Sequence, residues 1–215
     1  VLRRAFGTDP AITAAAAAAM ASLAAAGAII VDPVELPDGI LPLDGGNIVD
    51  AEFATAFDAY LRDGFMPGTA PASLRAILAS GGFLPDHRAV LEARVAFRDS
   101  GARAAILARH AALRDRLDAC ASRAAIDLFL HPTSVVTPGS LDNPKGGWAP
   151  ELAARSGWPA LSVPAGRSDD GVPIGVELLA RAGGEALLFR AGLAIEHGRG
   201  PRALPDLSLP GLHNG

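Results

Sequence analysis

One stretch of this sequence gathers the side chains from which a hydrolytic site is commonly built. His131 is followed by Thr133, Ser134, Ser140 and Lys145, the sole lysine among 19 basic residues. A serine hydroxyl attacks a carbonyl only when a base takes its proton, and lysine can be that base. Ser134 or Ser140 with Lys145 is therefore the dyad that this loop would offer. Stray serines and lysines are ordinary on surface loops, so these residue types alone specify no dyad. His131 has the chemistry of a general base, but beside Pro132 at a strand end it reads first as a structural hydrogen-bonder. The histidines at 87, 110, 131, 197 and 213 show no metal-ligand spacing such as His-x-x-x-His, and no metal site or cofactor is expected. Gly45-Gly46 and Gly183-Gly184 are too short to cradle a phosphate.

Other function classes are weighed by composition. Half of the 215 residues are hydrophobic, a fifth are charged, and the formal net charge is −4. No basic stripe runs along any segment and aromatics are 5%, so nucleic-acid binding is not expected. Arg3-Arg4 ahead of the uncharged run 11–31 mimics a twin-arginine export signal. Asp9 and Pro10 interrupt it, and the run is mostly alanine, which is weakly apolar and helix-forming. Neither export nor a membrane span is expected. Cys120 is the single cysteine, which excludes an internal disulfide and fits a reducing cytoplasm. The arginine bias, with abundant Ala, Gly and Pro, suggests a GC-rich bacterial coding sequence. The first residue is Val1, which leaves open a processed start or sequence further upstream.

The elements that must position the 131–147 loop are legible from periodicity. Thr8-Asp9-Pro10 starts a helix that runs to about Ala26 and stops at Gly27. This helix has no charged residue on any face, and helices of that kind are normally buried on all sides, so the chain is expected to expose apolar surface unless another half or partner covers it. Ala28–Asp32 reads as a buried strand. Residues 33–49 read as loop, 50–63 as a helix with Phe53, Ala56, Phe57, Tyr60 and Leu61 on one face, and 71–80 as a short helix. Asp86 caps a helical stretch to about Ala125 that Ser100-Gly101 kinks or divides. Asp127–Leu130 is a strand ending at His131-Pro132, and the Thr133–Gly147 loop is long enough to be functional. A short helix near 150–156, a strand from Pro159 to Pro164, a turn at Asp169-Asp170-Gly171 and a strand over 174–180 follow, the two strands pairing antiparallel. Glu185–His197 is an amphipathic helix, and the tail wraps the surface. No internal repeat and no second domain boundary are seen.

Two segments carry a resemblance. Asp127-Leu-Phe-Leu-His-Pro-Thr133 is one. Ser156-Gly-Trp-Pro-Ala-Leu-Ser-Val-Pro-Ala-Gly166, continued by Gly171-Val-Pro-Ile-Gly-Val-Glu-Leu-Leu179, is the other. With the helix–strand unit from Leu23 to Asp32 and the helix from Glu52 to Leu61, they resemble, over about the whole chain, the later part of the amidase-signature family. The resemblance implies an α/β fold, a mixed β-sheet flanked by helices, in which residues 1–215 are the carboxy-terminal part of a single domain that is incomplete without its amino-terminal half. It implies amide hydrolysis by the full-length enzyme through a serine nucleophile, a second serine that relays the proton to a lysine, and backbone N–H groups for the oxyanion. This chain has no Ser-Ser pair and no Gly-Gly-Ser segment, and Asn-Pro-Lys145-Gly-Gly does not match the family's lysine motif. No catalytic residue is carried over, and the chain alone is expected to be inactive. The resemblance places the loop after Thr133 near the family's cleft, which makes Thr133, Ser134 and Trp148 the candidate substrate wall. The expected partners are a small amide substrate and a missing amino-terminal half or partner chain. The alternative is a non-catalytic subunit or degenerate relic that binds a partner or ligand.

Overall fold

The computed structural model describes residues 1–36, 47–98, 101–140 and 151–201. The chain falls into two compact units, Val1–Pro42 with Arg116–Gly215, and Leu43–Asp115. Trp148 and Lys145 lie outside the described residues, as does most of the tail after Gly198.

The first unit is built on a three-stranded sheet: β1 (Leu128–Pro132), β2 (Ala160–Arg167) and β3 (Pro173–Ala180) in the order β1-β3-β2. Both pairings are antiparallel, and the parallel pairing that a mixed sheet requires is not among the described residues. β2 and β3 form the expected hairpin. Its turn closes through Gly171 N–H to the Ser168 carbonyl at 2.9 Å, and Gly171 takes the positive φ of +85° that glycine tolerates. Register then sorts side chains between two faces. One face carries Leu130, Leu178, Val176, Val163 and Ile174, which bury against helices α1 (Pro10–Ala25) and α7 (Glu185–Arg199). The opposite, outer face carries Phe129, His131, Leu179, Glu177 and Ser162.

Helix α1 begins where the sequence says it must. The Asp9 carboxylate accepts from the N–H groups of Ala11 and Ile12, Pro10 opens the first turn, and Gly27 at φ +94° ends it. Its burial is one-sided. Ile12, Ala15, Ala16, Ala19 and Leu23 form one buried stripe, while Thr13, Ala14, Ala17, Ala18 and Ala21 face solvent. An alanine face exposes only methyl groups, so a helix without charges still has a side that water tolerates.

The strand expected over Ala28–Asp32 is also corrected. This segment runs without strand pairing, and Ile29 is 92% exposed. A strand needs a ladder, and among the described residues the long-range backbone hydrogen bond of this segment is the one to Val1. The Val1 amino group donates to the Val31 carbonyl at 2.7 Å, Val34 N–H donates to the Val1 carbonyl at 2.9 Å, and Leu2 N–H donates to Leu130 of β1 at 3.0 Å. Arg3 grips both carboxylate oxygens of Asp32 at 2.8 and 2.5 Å, which holds the Asp32 carboxyl below its usual range. The last turns of α5 (Ala102–Arg123) bury Leu117, Cys120 and Ala121 in this unit.

The second unit is helical: α2 (Ile48–Asp63), α3 (Leu74–Ser80), α4 (Arg88–Ala96) and the start of α5. Phe53 and Phe57 stack at 5.3 Å along α2, and the Arg94 guanidinium lies 4.3 Å from the Phe53 ring centre. The stretch from Asp86 is divided, with Gly101 at φ +84° heading α5. Asp86 caps neither part. It sits inside a 3-10 turn, Pro85–His87, and the residue that precedes α4 is His87. The short helix expected near 150–156 is α6 (Leu152–Ser156), in the first unit.

Candidate functional site

The expected wall residues lie at the end of β1. Thr133 follows the strand and stays attached to β3, its N–H donating to the Gly175 carbonyl at 3.1 Å. Its hydroxyl meets that of Ser162 on β2 at 3.1 Å. The two hydroxyls reach each other across β3 because position 175 is glycine. A Cβ there would lie 3.0 Å from Thr133 Oγ1 and 3.4 Å from Ser162 Oγ. Ser134 turns away from this contact and donates to the Val136 carbonyl at 2.7 Å.

One row further into the sheet, two residues along each strand, lies a set of side chains that no local pattern predicts. His131, Glu177 and Ser162 stand side by side on β1, β3 and β2, because Glu177 is the register partner of both others. Residues directly opposite in an antiparallel pair share a face, with their side chains in reach of each other. His131 is fully buried, and its Nε2 lies 3.5 Å from a Glu177 carboxylate oxygen. Ser162 is exposed, and Glu177 is partly so, its side chain 21% exposed. The order decides the chemistry. An imidazole that activates a serine must sit next to it, whereas here a carboxylate stands between. The row is thus a polar surface of donors and acceptors, with no relay to a nucleophile. A neighbouring row is apolar: Phe129 and Leu179 are fully buried, and Phe129 stacks on Trp158 with ring centres 5.9 Å apart. Trp158 is itself held by the buried Ser156 hydroxyl, which accepts from its backbone N–H at 3.1 Å.

The sequence reading put Thr133 and Ser134 together at the end of β1, and the structure separates their contacts, since only the Thr133 hydroxyl meets Ser162. It missed Ser162 and Glu177. Glu177 does leave a trace, as the one charge in the alternating run 173–180. Which side chains it meets depends on a register that spans 46 positions to His131. Among the described residues no cluster of His, Cys, Asp and Glu could hold a metal ion.

A family profile described as Amidase matches residues 2–189, which takes in the three described strands and both hydroxyls of the site. This chain belongs to the amidase family. Among curated relatives, a glutamyl-tRNA(Gln) amidotransferase subunit from Nocardia farcinica is 39% identical over 87 residues, 36% of this chain and 18% of that protein. A putative amidase AmiD of Mycobacterium tuberculosis is 37% identical over 82 residues, 33% of this chain and 17% of its own. Among solved structures, an amidase family protein from Bacillus anthracis aligns with a TM-score of 0.72 at 22% identity, covering 93% of this chain and 38% of that one. Native peptide amidase from Stenotrophomonas maltophilia aligns at 0.66 and 24% identity, covering 88% and 40%. At such identities the structural likeness speaks for the fold alone. The amidase-family chain spans well under half the length of the proteins it matches.

Proposed function

We propose that residues 1–215 are the carboxy-terminal part of a single amidase domain, and that the complete enzyme hydrolyses a carboxylic amide. Water and the amide would give a carboxylate and ammonia or an amine. The observation that carries this reading is the family match over residues 2–189, set against relatives of which the chain matches less than a fifth. This part supplies scaffold and one wall of the substrate cleft. Thr133, with its hydroxyl on Ser162, Ser134 and Trp148 are the proposed wall residues, Trp148 lying outside the described residues. Nucleophile, proton relay and oxyanion donors come from the amino-terminal half, since the sequence here has neither a Ser-Ser pair nor a Gly-Gly-Ser segment. The enzyme is cytoplasmic and bacterial, in keeping with a single buried, unpaired cysteine and an arginine-rich composition. No described helix is long and apolar enough to cross a membrane.

The test is expression of the reading frame that is continuous with Val1. Ammonia release from a panel of primary amides by that longer product supports the proposal. A longer product that folds and hydrolyses none of them refutes it.

A second reading, a non-catalytic subunit, shares one observation with the first. Apolar side chains stand in water on both units, among them Ile29 at 92%, Met66 at 74% and Phe189 at 66% exposure. Both readings require a cover for them, either the other half or a partner chain. The isolated chain is therefore expected to self-associate in size-exclusion chromatography with light scattering. A stable monomer that binds no hydrophobic dye would contradict both.

A further inference from the structure

His131 is the one imidazole in the sheet, and its two nitrogens face groups of the same kind. Nδ1 lies 2.9 Å from the Pro132 carbonyl oxygen. A carbonyl only accepts, so the hydrogen of this contact sits on Nδ1. In a neutral imidazole the other nitrogen then carries a bare lone pair. That nitrogen, Nε2, is shielded from solvent and has no hydrogen-bond partner, yet a Glu177 carboxylate oxygen lies 3.5 Å away. A carboxylate also only accepts. Two bare acceptors facing each other repel, and the buried Nε2 is not compensated for the water it has lost. One added proton removes the conflict. It makes either an imidazolium facing a carboxylate or an imidazole facing a carboxylic acid, and both forms join the same two atoms. The terminal torsion of a glutamate is soft, so its carboxyl group can turn from this separation into hydrogen-bonding alignment without moving the sheet.

We propose that His131 and Glu177 hold one proton between Nε2 and Oε1. The shared proton fixes the Glu177 carboxyl on the outer face, directly across from Ser162 and one row from Thr133. His131 is a positioning residue: it is fully buried and reaches the surface only through Glu177. The inference rests on strand register and hydrogen-bond chemistry, and it stands whether or not the complete protein hydrolyses amides.

The experiment is proton-detected nitrogen NMR of the full 215-residue chain with ring-labelled histidine at neutral pH, the His131 signals being assigned by their loss in His131→Gln. Nδ1 is expected to give a protonated, pyrrole-type signal. Nε2 is expected to be shifted far from the free pyridine-type position, with a downfield proton on the shared bond. A wild-type Nε2 at the free pyridine-type position overturns the proposal without recourse to any variant. In Glu177→Ala, Nε2 is expected to move to the free position. An Nε2 that keeps its wild-type shift in that variant means the proton is held with another group, which also overturns the pairing. If Glu177→Ala does not fold, Glu177→Gln keeps the size and shape of the side chain. Its amide can donate to Nε2 but supplies no titratable proton, so the downfield resonance of the shared proton must disappear, and its persistence overturns the pairing.

Discussion

Purified as 215 residues, the chain is expected to release ammonia from benzamide or propionamide no faster than buffer does. Enzymes accelerate their reactions by about 10⁶-fold or more over the uncatalysed rate. Against a complete amidase the expected deficit is therefore at least of that order. The described sheet explains why. The Ser162 hydroxyl is engaged with Thr133, the Ser156 hydroxyl accepts from the Trp158 backbone, and His131 faces Glu177. No serine in the row stands beside the imidazole, so none has a base there to take its proton. Ammonia release by this chain that is abolished in Ser134→Ala or Lys145→Ala would show that the 133–147 loop carries a dyad of its own, and the division of labour proposed above would fall.

Phe129→Ala is expected to cost about 3–5 kcal/mol, which is a large share of the roughly 5–15 kcal/mol that stabilises a typical domain. Phe129 is fully buried on the outer face and stacks on Trp158. Its loss removes the transfer energy of the ring and leaves a cavity that the sheet backbone cannot close. The comparison is Phe189→Ala on α7, where the ring is 66% exposed and the change should stay within about 0.5 kcal/mol. Urea unfolding of both variants, followed by circular dichroism, measures the difference. Equal midpoints for the two would mean that the sheet's outer face is not part of the core.

What the sequence determined by itself is what short-range physics determines. The limits of α1 follow from Asp9, Pro10 and Gly27, each acting within one helical turn of itself. The β2–β3 hairpin follows from alternation and from Asp169-Asp170-Gly171, because two strands joined by a short turn have no other partner so near. The Asp127–Thr133 and Ser156–Leu179 segments fixed the family, and with it the reading of a chain without a nucleophile. Asp86 shows the limit of such signals, since an acidic residue ahead of a helical pattern caps it only if the chain turns at that residue. Tertiary structure alone decided which side of β3 receives β1. That choice puts His131 against Glu177 and Phe129 against Leu179, residues too far apart in sequence for any spacing to relate them. It also decided that 28–32, apolar enough for a buried strand, stays unladdered with Ile29 in water. A side chain's preference for burial is written in its own chemistry. Whether a backbone lies alongside to pair with it depends on where the rest of the chain has gone.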